Sequence, residues 1–113
     1  MKYSMFIGRW QPWHEGHRWL IDQRLNQQKN VRICIREVSA DESNPYNPIE
    51  VKKNIESELD DLISSKRVKV VIIPDIESVN YGRGVGYDII EHVPPQEIGE
   101  ISATEIRKKI FNK

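Results

Sequence analysis

Tyr3-Ser4-Met5-Phe6-Ile7-Gly8-Arg9-Trp10-Gln11-Pro12-Trp13-His14-Glu15-Gly16-His17 is the stretch on which the fold turns. Residues 3–7 are short and largely apolar, and Gly8 closes them, as a buried strand is closed. Beyond the turn, Trp19, Leu20, Ile21 and Leu25 fall at spacings that share one helix face, which predicts a helix from about Glu15 to Gln28. Two of the chain's 3 histidines lie between strand and helix. Strand, tight turn, two imidazoles and a small residue between them form a plan for holding a phosphate. Helix starts carry unpaired N–H groups and a partial positive charge, and both favour an anion.

The elements that follow repeat the alternation. Lys29-Asn30 is a stop signal, and the β-branched Val31, Ile33 and Ile35 predict a second strand over 31–36. Residues 39–47 are polar, hold Pro45 and read as a loop. Asn47 suits an N-cap, Pro48 a first helical position, and Glu50 a capping box, with Ile55, Leu59, Leu62 and Ile63 as the buried face. Residues 68–73 are a third strand, ended by Pro74. Residues 87–93 are expected to be a short fourth strand, ended by Pro94-Pro95. Ser102-Ala103-Thr104-Glu105 is a second capping box, opening a last helix with Ile106 and Ile110 on one side. The order β-α-β-α-β-loop-β-α predicts one α/β domain over 1–113, an open parallel sheet with flanking helices.

Composition narrows the partners. The chain has 113 residues, with 17 basic and 17 acidic side chains. A zero balance excludes a general nucleic-acid binder, which needs a basic excess. The best apolar run is residues 70–73, against the ~20 residues of a membrane helix. The start of the chain has no signal-peptide pattern. Cys34 is a lone thiol in an apolar run, so it reads as core, and a reducing compartment is its simplest home. The expectation is a cytoplasmic protein without membrane contact.

In an open parallel sheet, ligands bind beyond the carboxyl ends of the strands, near the reversal of strand order. The loops 8–17, 37–47 and 75–86, and the helix start at Ser102, should all open on that edge. His14 and His17 are three apart and share a face in a helical turn. Gly16 leaves room for a phosphate or a second backbone. Two imidazole N–H groups aimed at one point would stabilise charge on a phosphorus in transfer, and a donor of this kind is worth ~2.7–4 kcal/mol in the transition state. A metal pair at i, i+3 and a pair of surface histidines are the competing readings. No cysteine or third histidine stands at ligand spacing, so no metal ligand is assigned. Ser102, Thr104 and Arg107 place two hydroxyls and a guanidinium at another helix start, where Arg forks onto phosphate oxygens. The plainer reading there is a capping box with solvated Arg107, Lys108 and Lys109.

These residues resemble the nucleotidyltransferase superfamily that carries the H-x-G-H signature. It includes nicotinamide-mononucleotide and pantetheine-phosphate adenylyltransferases and glycerol-3-phosphate cytidylyltransferase. Gly8-Arg9-Trp10-Gln11-Pro12-Trp13-His14-Glu15-Gly16-His17 is similar to the family's G-R-F-Q-P-F-H-x-G-H, and Ile101-Ser102-Ala103-Thr104-Glu105-Ile106-Arg107 to its I-S-x-T-x-I-R. The resemblance implies a Rossmann-like domain with a shortened C-terminal half, because relatives carry a further strand and helix where this chain has residues 75–86.

It also implies a reaction, in which an acceptor phosphate attacks the α-phosphate of a nucleoside triphosphate and pyrophosphate leaves. His14, His17 and Arg107 would be catalytic. Gly8, Arg9, Trp10, Gln11, Gly16, Ser102, Ala103 and Thr104 would bind the nucleotide. Magnesium would ride on the phosphates. AMP is favoured over CMP as the transferred group, because both motifs lie closer to the adenylyl-type relatives. The acceptor would be small and phosphorylated. Arg36, Tyr81, Arg83 and Tyr87 are its candidate contacts. A solvated loop at Arg36 and a plain connector over 81–87 are the alternatives, and Asp41-Glu42 would repel anions. Relatives often form homo-oligomers, and a chain this small gains core by association. The rival from another class is a non-catalytic nucleotide sensor or partner domain, which the short middle region favours.

Overall fold

The computed structural model describes residues 1–99. Its elements are β1 (Tyr3–Gly8), α1 (Glu15–Leu25), β2 (Asn30–Glu37), α2 (Pro48–Glu58), α3 (Asp60–Ser64), β3 (Val68–Pro74) and α4 (Gln96–Gly99). The three strands form one parallel sheet in the order β1-β2-β3. Ser4, Phe6 and Gly8 stand opposite Val31, Ile33 and Ile35, which in turn meet Val68, Val70 and Ile72. The α/β architecture and its three expected parallel strands are therefore present.

Two right-handed crossovers running the same way put α1 and α2 on the same face of the sheet. Burial agrees. Phe6, Val31, Ile33, Ile35, Val68 and Val70 form the core with Ile21 and Leu25 of α1, Val51 and Ile55 of α2, and Leu59 just beyond it. On the opposite face, Met5 and Lys69 are exposed and Tyr3 and Arg32 half-buried. Cys34 shares that second face yet is buried, and free.

Helix α2 starts as its sequence dictates. Asn47 Oδ1 accepts from Glu50 N at 2.9 Å, and Pro48 opens the first turn. The return bond differs from the expectation: Glu50 Oε1 accepts from Asn47 Nδ2 at 2.7 Å, so carboxylate and carboxamide pair side chain to side chain. Val51, Ile55 and Leu59 are buried, while Leu62 and Ile63 are half-buried and reach the core from the separate α3.

Three expectations need correction. Helix α1 ends at Leu25, not near Gln28. Its buried face is centred on Ile21 and Leu25, with Leu20 packed against it; Trp19, two residues or ~200° round from Ile21, is not part of the core cluster. Residues 87–93 form no strand, although His92 stacks on Phe6 with ring centroids 6.1 Å apart. β1 is consequently an edge of the described sheet, and no reversal of strand order occurs among the described residues. The site cannot be located by a topological switch. What survives is the weaker geometric fact that parallel strands end on one edge. The last helix lies outside the described residues. No described helix is long and apolar enough to cross a membrane.

Candidate functional site

The turn after β1 folds around Trp10. Trp10 adopts φ 56, a left-handed backbone that a bulky residue occupies only when its surroundings hold it there. Its indole is buried, and Nε1 donates to the carbonyl of Cys34 in β2 at 3.0 Å. A Cβ on Gly8 would lie 3.0 Å from Cε2 of that indole, so glycine closes β1 because Trp10 folds back over it. Gln11 is also buried: Nε2 donates to Tyr46 O at 2.7 Å, and Oε1 accepts from Tyr46 N at 2.9 Å. The Gln11–Pro12 bond is cis.

His14 is the N-cap of α1, with extended backbone at φ −147 and ψ 179. Its Nδ1 accepts from Gly16 N at 3.0 Å. His17, at the third helical position, returns the bond: its Nδ1 accepts from His14 N at 3.2 Å. A capping box is normally built from a hydroxyl and a carboxylate; here two imidazoles build it. Their rings stack with centroids 3.7 Å apart and planes 21° apart.

The consequence is chemical. An imidazole that accepts at Nδ1 must carry its proton on Nε2 if it is neutral. Both histidines, when neutral, are thus Nε2–H donors, and their rings stack at a helix start. Burial, then the neighbouring His14, push the His17 pKa down from 6.5 to about 3. Burial lowers His14 as well. Two stacked imidazoliums would repel, and each would lose its Nδ1 bond. The pair therefore donates hydrogen bonds without carrying charge.

Gly16 has a different reason from the expected one. A Cβ there would stand 2.8 Å from His14 Cε1 and 3.0 Å from Nδ1. The space is kept for the His14 ring. Trp10 and Trp13 wall His17, with ring centroids 4.9 and 5.4 Å away. These indoles wall and desolvate His17, a role that the sequence reading did not assign to them. The signal was present: two tryptophans three apart, one turn ahead of the second histidine.

Other expected residues fall unevenly. Arg9 is exposed beside the pair and makes no hydrogen bond or ion pair among the described residues. Arg36 is committed elsewhere: Nε donates to Asp75 Oδ1 at 2.8 Å and Nη2 to Ile76 O at 3.1 Å, tying the ends of β2 and β3. Tyr81, Arg83 and Tyr87 are exposed in a segment without regular structure, and no hydrogen bond, ion pair or ring contact brings them to the imidazoles. Ser102, Ala103, Thr104 and Arg107 lie outside the described residues. Cys34 is buried, and burial raises its pKa, so it is no nucleophile.

A cleft of about 260 Å³ opens beside His14, between the start of α1 (Trp13, Glu15, Arg18) and the end of α2 (Glu58, Leu59). Among the described residues, no three His, Cys, Asp or Glu side chains gather to hold a metal. No protein-family model matches the sequence, and no curated protein is significantly similar to it.

Proposed function

We propose that this protein is a nucleotidyltransferase with a Rossmann-like nucleotide site, moving AMP, or less favourably CMP, from a nucleoside triphosphate to a small phosphorylated acceptor with release of pyrophosphate. The observation that carries it is the imidazole capping box. Two neutral Nε2–H donors lie stacked at the N-terminus of α1, where the helix dipole also favours a phosphate. In-line transfer at an α-phosphate asks for donors held in place before charge develops, and needs no covalent nucleophile.

The supporting cast follows from the same turn. Arg9 supplies an exposed guanidinium that makes no hydrogen bond or ion pair among the described residues, and the backbone of residues 8–11 leads into the imidazole turn. Ser102, Thr104 and Arg107 take the β- and γ-phosphates. Helix α4 favours this arrangement, since the Ile98 carbonyl comes to 3.8 Å from a Cβ built on Gly16. Magnesium would be carried by the phosphates of the triphosphate. A reducing, cytoplasmic setting suits the single buried thiol of Cys34.

The test is pyrophosphate release from ATP and CTP across a panel of phosphorylated acceptors, with His17→Ala as the control. ATP-dependent release that falls by about 10²–10³ in the variant supports the reading. Equal release by both proteins overturns it. A second reading, a nucleotide sensor, is favoured by the exposed Tyr81, Arg83 and Tyr87, which no hydrogen bond or ring contact among the described residues brings to the imidazoles. Nucleotide-dependent thermal stabilisation without turnover on any acceptor selects the sensor.

A further inference from the structure

Gln11 is more deeply buried than any other polar side chain of the β1–α1 turn, at 2% exposure. Its carboxamide gives a donor and an acceptor to one residue's backbone, the N–H and C=O of Tyr46. A neighbouring strand would offer Tyr46 the same pair of bonds. Tyr46 immediately precedes Asn47, the N-cap of α2. Gln11 stands three residues before His14, the N-cap of α1. One side chain therefore links the approaches to both helix starts.

What lies beyond Tyr46 is stiff. Asp41 and Asn44 lock the preceding turn through Asp41 N to Asn44 O at 2.8 Å and Asn44 N to Asp41 Oδ1 at 2.7 Å. Following Tyr46, α2 is anchored in the core by Val51, Ile55 and Leu59. Leu59 and Glu58 then form the far wall of the cleft beside His14. Tyr46 leads directly into α2, and Gln11 ties that junction to the imidazole turn. Trp10 ties the same turn to β2 through Cys34.

We infer that Gln11 is a positioning residue: it fixes α2 relative to the imidazole pair and so sets the width of the cleft in which the acceptor sits. It touches no reacting atom. This rests on the nucleotidyl-transfer reading, because only that reading puts an acceptor beside His14. A cleft of about 260 Å³ matches a small phosphorylated metabolite.

Two measurements on the full chain test it. The first needs no turnover. In Gln11→Ala, amide hydrogen exchange at Tyr46 and in the first turn of α2 rises by about tenfold or more, while the amides of β2 keep their protection. The second is kinetic. The KM for the acceptor rises by about tenfold, more than the half-saturating ATP concentration does, because the far wall loses its tie while Trp10 still holds the imidazole turn to β2. Gln11→Met, which keeps the side chain's length but makes neither bond to Tyr46, gives the same pattern without leaving a cavity and covers the case in which the alanine variant folds poorly. Unchanged exchange in an active enzyme overturns the inference and leaves the transfer reading standing. So does a KM for ATP that rises in step with that for the acceptor. Wild-type protein that releases no pyrophosphate with any acceptor overturns the transfer reading first, and the acceptor role of Gln11 with it.

Discussion

The Nδ1 of His17 accepts from the backbone N–H of His14, and the two rings lie 3.7 Å apart. This bond decides the electrostatics of the turn. It uses the lone pair that a proton would otherwise take, so charging His17 means breaking the cap as well as burying an ion between indoles. An arginine pair would offer more attraction to a phosphate, but under the proposed transfer it would also bind pyrophosphate tightly. Neutral donors stabilise developing charge while holding the ground state less firmly.

The pH dependence of stability follows in sign. The folded pKa of His17 lies near 3, below the 6.5 of the unfolded chain. The unfolded state therefore binds more protons as pH falls. Stability is fully present above about pH 6.5 and is lost progressively as pH drops towards 3, by up to about 1.4 kcal/mol per unit. Urea unfolding midpoints at pH 7.5, 6, 5 and 4 should fall steadily. His17→Gln should flatten the profile. A wild-type midpoint that stays constant from pH 7.5 to 4 would contradict the depressed value.

Gly16→Ala sets two effects against each other. Alanine in place of glycine normally favours a helix by ~1 kcal/mol. Here the new Cβ would meet His14 Cε1 at 2.8 Å, and the ring must move. Moving it breaks the Nδ1 bond from Gly16 N and unstacks His17. The clash wins: thermal stability should not rise, and pyrophosphate release should fall by about 10²-fold. A variant that is both more stable and fully active would show that the ring has room to shift.

Asn47→Ala removes the side-chain acceptor for Glu50 N and the partner of the Glu50 carboxylate. Loss of an N-cap of this kind costs about 1 kcal/mol. Chemical denaturation should show that loss with an unchanged m-value. Turnover should be affected little, because Tyr46 remains tied to Gln11 on the other side.

Much of the frame was legible in the chain because its signals are local. Apolar and β-branched runs marked three strands, and Asn47-Pro48 marked the start of α2 to the residue. Residues 87–93 misled because Ile89, Ile90 and Val93 have strand propensity, while a strand also needs a partner edge. In the fold those side chains are exposed, and the segment meets β1 through the His92–Phe6 stack. The histidine turn was readable as a helix start but not as a cap. Nothing in the spacing shows that Nδ1 atoms replace hydroxyl and carboxylate. Arg36 looked available for an acceptor because its partner, Asp75, is 39 residues away in sequence. Gln11 was opaque for the same reason, its partner Tyr46 being 35 residues away.

Trp10→Phe tests whether the first indole is packing or wiring. Phenylalanine fills most of the same volume and keeps an edge-on ring near His17, so packing alone predicts little change. The indole N–H is what it lacks. Without it, the Cys34 carbonyl loses a buried donor at 3.0 Å, which costs about 1–3 kcal/mol. The left-handed backbone at φ 56 makes the loss worse, because that bond is one of the contacts holding Trp10 in a conformation a large side chain resists. The turn should then relax away from β2, carrying His14 with it. The expected outcome is a stability loss of that size together with a fall in turnover larger than the loss of folded protein explains. Unaltered stability and turnover in Trp10→Phe would mean that shape alone fixes the turn, and that the bond to Cys34 contributes nothing measurable.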